Sequence, residues 1–144
     1  MATRSTIALE FADGSVGQVY CHWDGYLSHN GKILVEHYQD PFKLQKLIDL
    51  GDLSSLHAEL GEKHDFNESY KDGCTFYGRD RGETGINARY FKNFNEYKAN
   101  HQYEEYEYIL RTDGVWYVNQ GQGAGYEPLI EAIIEEMRKE AEEE

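Results

Sequence analysis

Tyr20, His22, Trp23 and Tyr26 crowd four rings with polar tips into seven residues. A nucleobase can stack on such faces at about 1–3 kcal/mol per base without any sequence code, and His22 can donate to a phosphate or ribose oxygen. A structural role competes with this one: alternation along a strand would turn Cys21 and Trp23 into a core and leave Tyr20 and His22 outside. A second concentration of chemistry lies at residues 77–93, where Arg79, Arg81, Arg89 and Lys92 outweigh Asp80 and Glu83 by two charges. The planar arginine fork suits bidentate phosphate contacts, and Gly78, Gly82 and Gly85 allow a backbone to approach a ligand closely. Pairing with the chain's many carboxylates is the competing use of the same arginines. Arg4 is a candidate of the same type.

Other patterns argue against a reaction. The six histidines, at 22, 29, 37, 57, 64 and 101, form no His-x₃-His pair, and there is no Cys-x₂-Cys, so no metal site and no cofactor are expected. Cys21 and His22 are neighbours, which a strand points to opposite faces. No Gly-x-Ser-x-Gly elbow is present. Gly121, Gly123 and Gly125 stand before a helix, yet their spacing is not the dinucleotide fingerprint and Glu127 would repel an anion there. The run reads as a connector. A binder is favoured over an enzyme, and a small nucleotide-processing enzyme stays open only through residues that meet in space.

The elements that must position these residues can be read along the chain. Residues 5–11 and 18–23 flank Asp13-Gly14 as a hairpin. Residues 31–38 read as helical. Asp40-Pro41 opens a helix over 41–50, with Asp as cap and Pro in the first turn, and Gly51 closes it. Residues 52–62 can extend helical structure after a break, whereas 63–72 is polar and irregular. Short strands are expected at 75–77 and 88–91, separated by a loop at 78–82, with a helical turn or two over 94–100. The second hairpin is stronger: 106–111 alternates, turns at Asp113-Gly114 and returns as 115–118. Pro128 then opens a helix with Leu129, Ile130, Ile133, Ile134 and Met137 on one stripe, which closes the core or forms an oligomer seam. The sum is an α+β domain: a small antiparallel sheet built from two hairpins plus a middle strand, helices packed on one face, and an acidic C-terminal helix over about 127–144.

Composition bounds what such a domain does. The chain has 144 residues, 14 Lys and Arg against 27 Asp and Glu, and a net charge of −13. That length supports one domain, residues 1–144, with a core of its own. Two cysteines are too few for a disulfide scaffold. No apolar stretch approaches a membrane span, and the first residues lack the apolar run of a signal peptide, so a soluble cytoplasmic protein without membrane contact is expected. The acidic balance excludes direct non-specific nucleic-acid binding, which requires a cationic contact face. It also raises an alternative, in which Glu104, Glu105, Glu107, Glu135 and Glu136 present carboxylates where a protein partner expects phosphates.

The opening TRSTIA, the Asp13-Gly14 turn, VYCHWDGY, Asn30-Gly31, LIDLGDLSSL, YGRDRGE and Trp116-Tyr117-Val118 together resemble a family of small accessory proteins of tailed phages and prophages. The resemblance covers residues 3–118 or thereabouts and departs at the glycine-rich loop and the acidic helix. It implies an anti-defence protein acting in the cytoplasm of an infected bacterium, one branch of which sequesters cyclic-nucleotide immune signals, as anti-Thoeris and anti-CBASS sponges do. The expected function is thus capture of a small anionic nucleotide without degradation, by a homo-oligomer, with Arg4, Tyr20, His22, Trp23, Tyr26, Arg79, Arg81 and Arg89 at the ligand. The alternative is an acidic inhibitor, such as an anti-CRISPR or nucleic-acid mimic, bound to a bacterial defence protein.

Overall fold

Two Asp-Gly turns of the same construction organise the molecule. In the computed structural model, which describes residues 3–100, 105–121 and 125–142, β1 (Ser5–Glu10) and β2 (Val16–Cys21) form one hairpin, and β6 (Tyr106–Leu110) and β7 (Trp116–Asn119) form the other. Phe11 N–H donates to Ser15 and Gly14 N–H to Phe11; Arg111 N–H donates to Val115 and Gly114 N–H to Arg111. Asp13 and Asp113 each accept from the backbone N–H two residues on, both at 2.9 Å. Gly14 and Gly114 sit at φ of 90° and 79°, where a side chain would be strained.

The hairpins join through their first strands, and the join is parallel: Ile7 lies opposite Tyr108 and Leu9 opposite Leu110. The strand order is β4-β3-β2-β1-β6-β7-β8, with β5 (Arg89–Phe91) also pairing β2. Here β3 is Leu53–Ser55, β4 is Thr75–Phe76 and β8 is Tyr126–Pro128. The α+β class is as expected. The sheet, however, is mixed rather than antiparallel, because β1 with β6 and β2 with β3 are parallel pairs, brought together by connections that hairpin reasoning does not see.

Ladder partners in β1 and β6 differ by 101 in number whereas the turns differ by 100, so corresponding residues of the two hairpins face opposite sides of the sheet. Val16 and Trp116 illustrate it, lying in different cores. The larger core packs Ile7, Leu9, Val19, Cys21, Tyr108, Leu110, Trp116 and Val118 against α1 (Lys32–His37), α2 (Pro41–Leu50) and α5 (Leu129–Glu142). Each fully buried aliphatic or aromatic side chain there contributes about 1.5–3 kcal/mol. The opposite face carries Ala8, Val16 and Ile109 under Phe91 and Tyr97 of α4 (Phe94–Ala99). Helices therefore cover both faces, not one, since β5 and α4 return beneath β2.

Local chemistry explains the elements. Asp40 caps α2 by accepting from Phe42 N–H at 2.9 Å, with Pro41 in the first turn. Residues 52–62 form β3 and irregular chain rather than helix, because Leu53 and Ser54 are drawn into pairing with His22 and Trp23. A π turn over Leu27–Gly31 precedes α1, and the expected 78–82 loop is one turn of helix, α3 (Tyr77–Arg81), closed by left-handed Gly82. Pro128 ends β8 instead of opening α5. Gly123, in the expected connector, lies outside the described residues.

Candidate functional site

The ring cluster at the end of β2 forms as a trio and a pair. The Tyr20 hydroxyl and His22 Nδ1 are 2.6 Å apart, and His22 meets Trp23 edge to face at 4.8 Å. Tyr26 leans on His29 with centroids 6.0 Å apart. Trp23 is 45% exposed, which corrects the core role open to it from alternation: the chain leaves strand geometry at Asp24, whose φ is 57°. The turn is held from inside by the Asn30 amide, which donates to Ser5 Oγ, Trp23 O and Cys21 Sγ. Gly25 crosses the start of β1 so closely that a Cβ would lie 2.8 Å from that of Ser5. Burial, then the nearby His29, pushes the His57 imidazole below its ordinary value.

The arginines do not share one fate. Arg79 donates to Leu60 O, Gly61 O, Cys74 O and both oxygens of Asp80. Those five bonds match the five donors of a guanidinium, so Arg79 is a clamp on the 57–74 loop and not a ligand residue. Asp80 is buried. Burial raises its carboxyl pKa, but the bonds from Arg79, Phe76 N–H and His64 N–H together hold it below the usual carboxylate value. Arg81 pairs with Glu83 and lies over Phe66 and Tyr77 at 4.5 and 4.8 Å. Arg89 donates to Gln18 at 3.2 Å, and Gln18 shares a face of β2 with Tyr20. Tyr20 and Arg89, the latter through Gln18, thus share one face at β2, while exposed Arg4 stands just before β1.

Of the acidic candidates, Glu105 and Glu135 are exposed, Glu136 is half-buried, and Glu104 lies outside the described residues. Glu107 is 2% exposed and cannot present a carboxylate to a partner. Asn119 Nδ2 and the Tyr126 hydroxyl donate to it at 3.2 and 3.1 Å. Register explains the burial: Tyr20, Thr6, Glu107, Asn119 and Tyr126 stand side by side across five strands, a polar row on the α4 face. Thr6 Oγ1 in that row is buried without a hydrogen-bond partner among the described residues.

The same face holds a cavity of about 360 Å³ lined by Phe94, Lys98, Arg111, Tyr117, Gly125 and Tyr126. Its lining carries three rings and two cations; the Arg111 fork is engaged by Glu10, and the Tyr117 hydroxyl donates to Asp113 at 2.6 Å. Arg111 Cζ lies 3.6 Å from the Phe94 centroid and Lys98 Nζ 5.0 Å from it. A larger cavity of about 600 Å³ sits between the two Asp-Gly turns and α2, where Glu10 joins the lining. Of these two cavities, the smaller has the more ring faces and the more cations in its lining, with Glu10 and Asp113 bound to its Arg111 and Tyr117. Nothing in the sequence pattern marked it, because residues 94–98 and 111–126 meet only when α4 folds back under the second hairpin.

Among the described residues, no group of three or more His, Cys, Asp or Glu side chains is placed to hold a metal ion, and no helix is long and apolar enough to cross a membrane. No protein-family model, curated protein or solved structure matches the chain.

Proposed function

We propose that this protein binds a small anionic nucleotide and holds it unaltered. The observation that carries the reading is the 360 Å³ cavity, where Phe94, Tyr117 and Tyr126 offer stacking faces and Lys98 and Arg111 offer positive charge. Rings provide base affinity without a sequence code, and the cations suit phosphate oxygens. Tyr20, His22 and Arg89 lie toward the other edge of the sheet and form a second polar aromatic patch for an extended ligand. In the phage setting that the sequence resemblance implies, such capture would withdraw a cyclic-nucleotide immune signal inside an infected bacterium.

The test is retention. Purified protein is incubated with cyclic di- and trinucleotides and cyclic ADP-ribose isomers, freed of unbound ligand, and denatured to release what it held. Intact nucleotide from the wild type, with at least tenfold less from Lys98→Glu and Tyr117→Ala, supports the reading. Loss instead in Tyr20→Ala and Arg89→Ala relocates the site to the β2 edge. Altered nucleotide makes the protein an enzyme. Nothing retained across the panel favours the acidic inhibitor, a reading that exposed Glu105 and Glu135 support.

A further inference from the structure

The apolar stripe of α5 has two sides. Leu129 and Ala132 are buried and Ile133 is half-buried against the larger core, whereas Ile130, Ile134 and Met137 are 51%, 59% and 57% exposed. With Ala141, the exposed three follow the i, i+4, i+7, i+11 spacing of a two-stranded seam and fall within about 60° of the helix circumference. Single exposed apolar residues need no explanation, but these are continuous with others. A cavity of about 300 Å³ at the start of the seam is lined by Ile130, Val115, Val35, Trp116 and Pro128, with Glu131 and Gln39 at its polar side.

We propose that the seam is covered by α5 of a second copy, packed antiparallel. The charges flanking it select that arrangement. On the solvent side of the seam stand Glu131 and Arg138, one heptad apart. In an antiparallel two-fold pair, Glu131 of each copy faces Arg138 of the other, giving two complementary contacts. A parallel pair sets each of these positions against the one five residues earlier on its partner, so Arg138 meets Ile133 and Glu131 meets Tyr126, which precedes the helix, with no complementary contact. Arg138 pairs with Glu135 of its own helix, and its remaining donors can reach a second carboxylate. The dimer does not rest on nucleotide binding, since the 360 Å³ cavity is on the other face of the sheet.

The experiment is sedimentation velocity on the full chain over micromolar to high-micromolar concentration, with circular dichroism to verify that each variant is folded. The wild type is expected to dimerise and Ile134→Asp to be monomeric. Glu131→Arg and Arg138→Glu should each weaken the dimer about tenfold. The two single variants mixed together should form a heterodimer of near wild-type affinity, because every 131–138 contact is then complementary. A wild type that stays monomeric overturns the proposal, as does a dimer indifferent to Ile134→Asp. Single variants that weaken the dimer but do not rescue each other overturn the antiparallel pairing.

Discussion

Glu10, the last residue of β1, and Arg111, the first residue past β6, are joined by two hydrogen bonds of 3.1 Å. The pair ties one Asp-Gly turn to the other and holds the Arg111 guanidinium over Phe94, at the wall of the proposed nucleotide cavity.

Burial alone would raise the Glu10 carboxyl, but the fork of Arg111, the Thr112 N–H and the charge of Arg111 bring it below its ordinary 4.5. A carboxylate depressed on folding contributes stability that is present above the unfolded value and lost as pH falls through the folded one. Glu10→Gln should therefore cost about 1 kcal/mol at pH 7, a modest figure because Arg111 is partly solvated. Urea melts at pH 7 and pH 3 check this: the difference from wild type should shrink at the lower pH.

Arg79 and Arg81 should separate sharply. Arg79→Ala leaves the buried Asp80 charge without its cation and three carbonyl oxygens without that donor, at a cost of about 3 kcal/mol. Arg81→Ala, which loses an exposed pair, should cost less than about 1 kcal/mol. Urea midpoints measure both, and limited proteolysis should cut the Arg79 variant first within 57–74.

Cys21 and Cys74 are both buried. Burial pushes the Cys21 thiol up to about 12 and raises that of Cys74 as well. At pH 8 neither should react with a disulfide reagent in the native protein, and both should react in urea. Fast labelling of either in native buffer would contradict this packing.

Asp24 is the described non-glycine residue with positive φ, a conformation that costs an ordinary L-residue about 1 kcal/mol. Asp24→Ala should lower stability by about that amount, and Asp24→Gly should hold or raise it. Thermal melts of the two variants read the difference directly.

Thr6→Val removes a buried hydroxyl that has no hydrogen-bond partner among the described residues. Such a group pays for desolvation without recovering a bond, so the substitution should leave stability unchanged or raise it by up to about 1 kcal/mol. A loss above about 1 kcal/mol would show that the hydroxyl is satisfied in solution.

What could be read from residue order was mostly what neighbours decide. The two Asp-Gly hairpins and the capped α2 depend on contacts within five residues and form where expected. The parallel join of β1 to β6 depends on partners 101 residues apart, and no local pattern announces it. That join also makes Glu107 a neighbour of Thr6, so a residue that reads as surface acid is interior. Arg79 failed as a ligand candidate for a related reason: its carbonyl partners belong to a polar loop with no periodicity to reveal its path. The β2 ring cluster was legible because it is contiguous, whereas the 360 Å³ cavity draws on three elements.

The β1–β6 join has a consequence for how the chain comes to be made. Translation at about 5–20 residues per second leaves β1 waiting on the order of 5 to 20 s before its central neighbour exists. During that interval the first hairpin presents an open inner edge, apolar on its main-core face through Ile7 and Leu9, of the kind that recruits foreign strands. Closing that edge is a long-range step of the kind that folds slowly, so it should set the pace of refolding from denaturant.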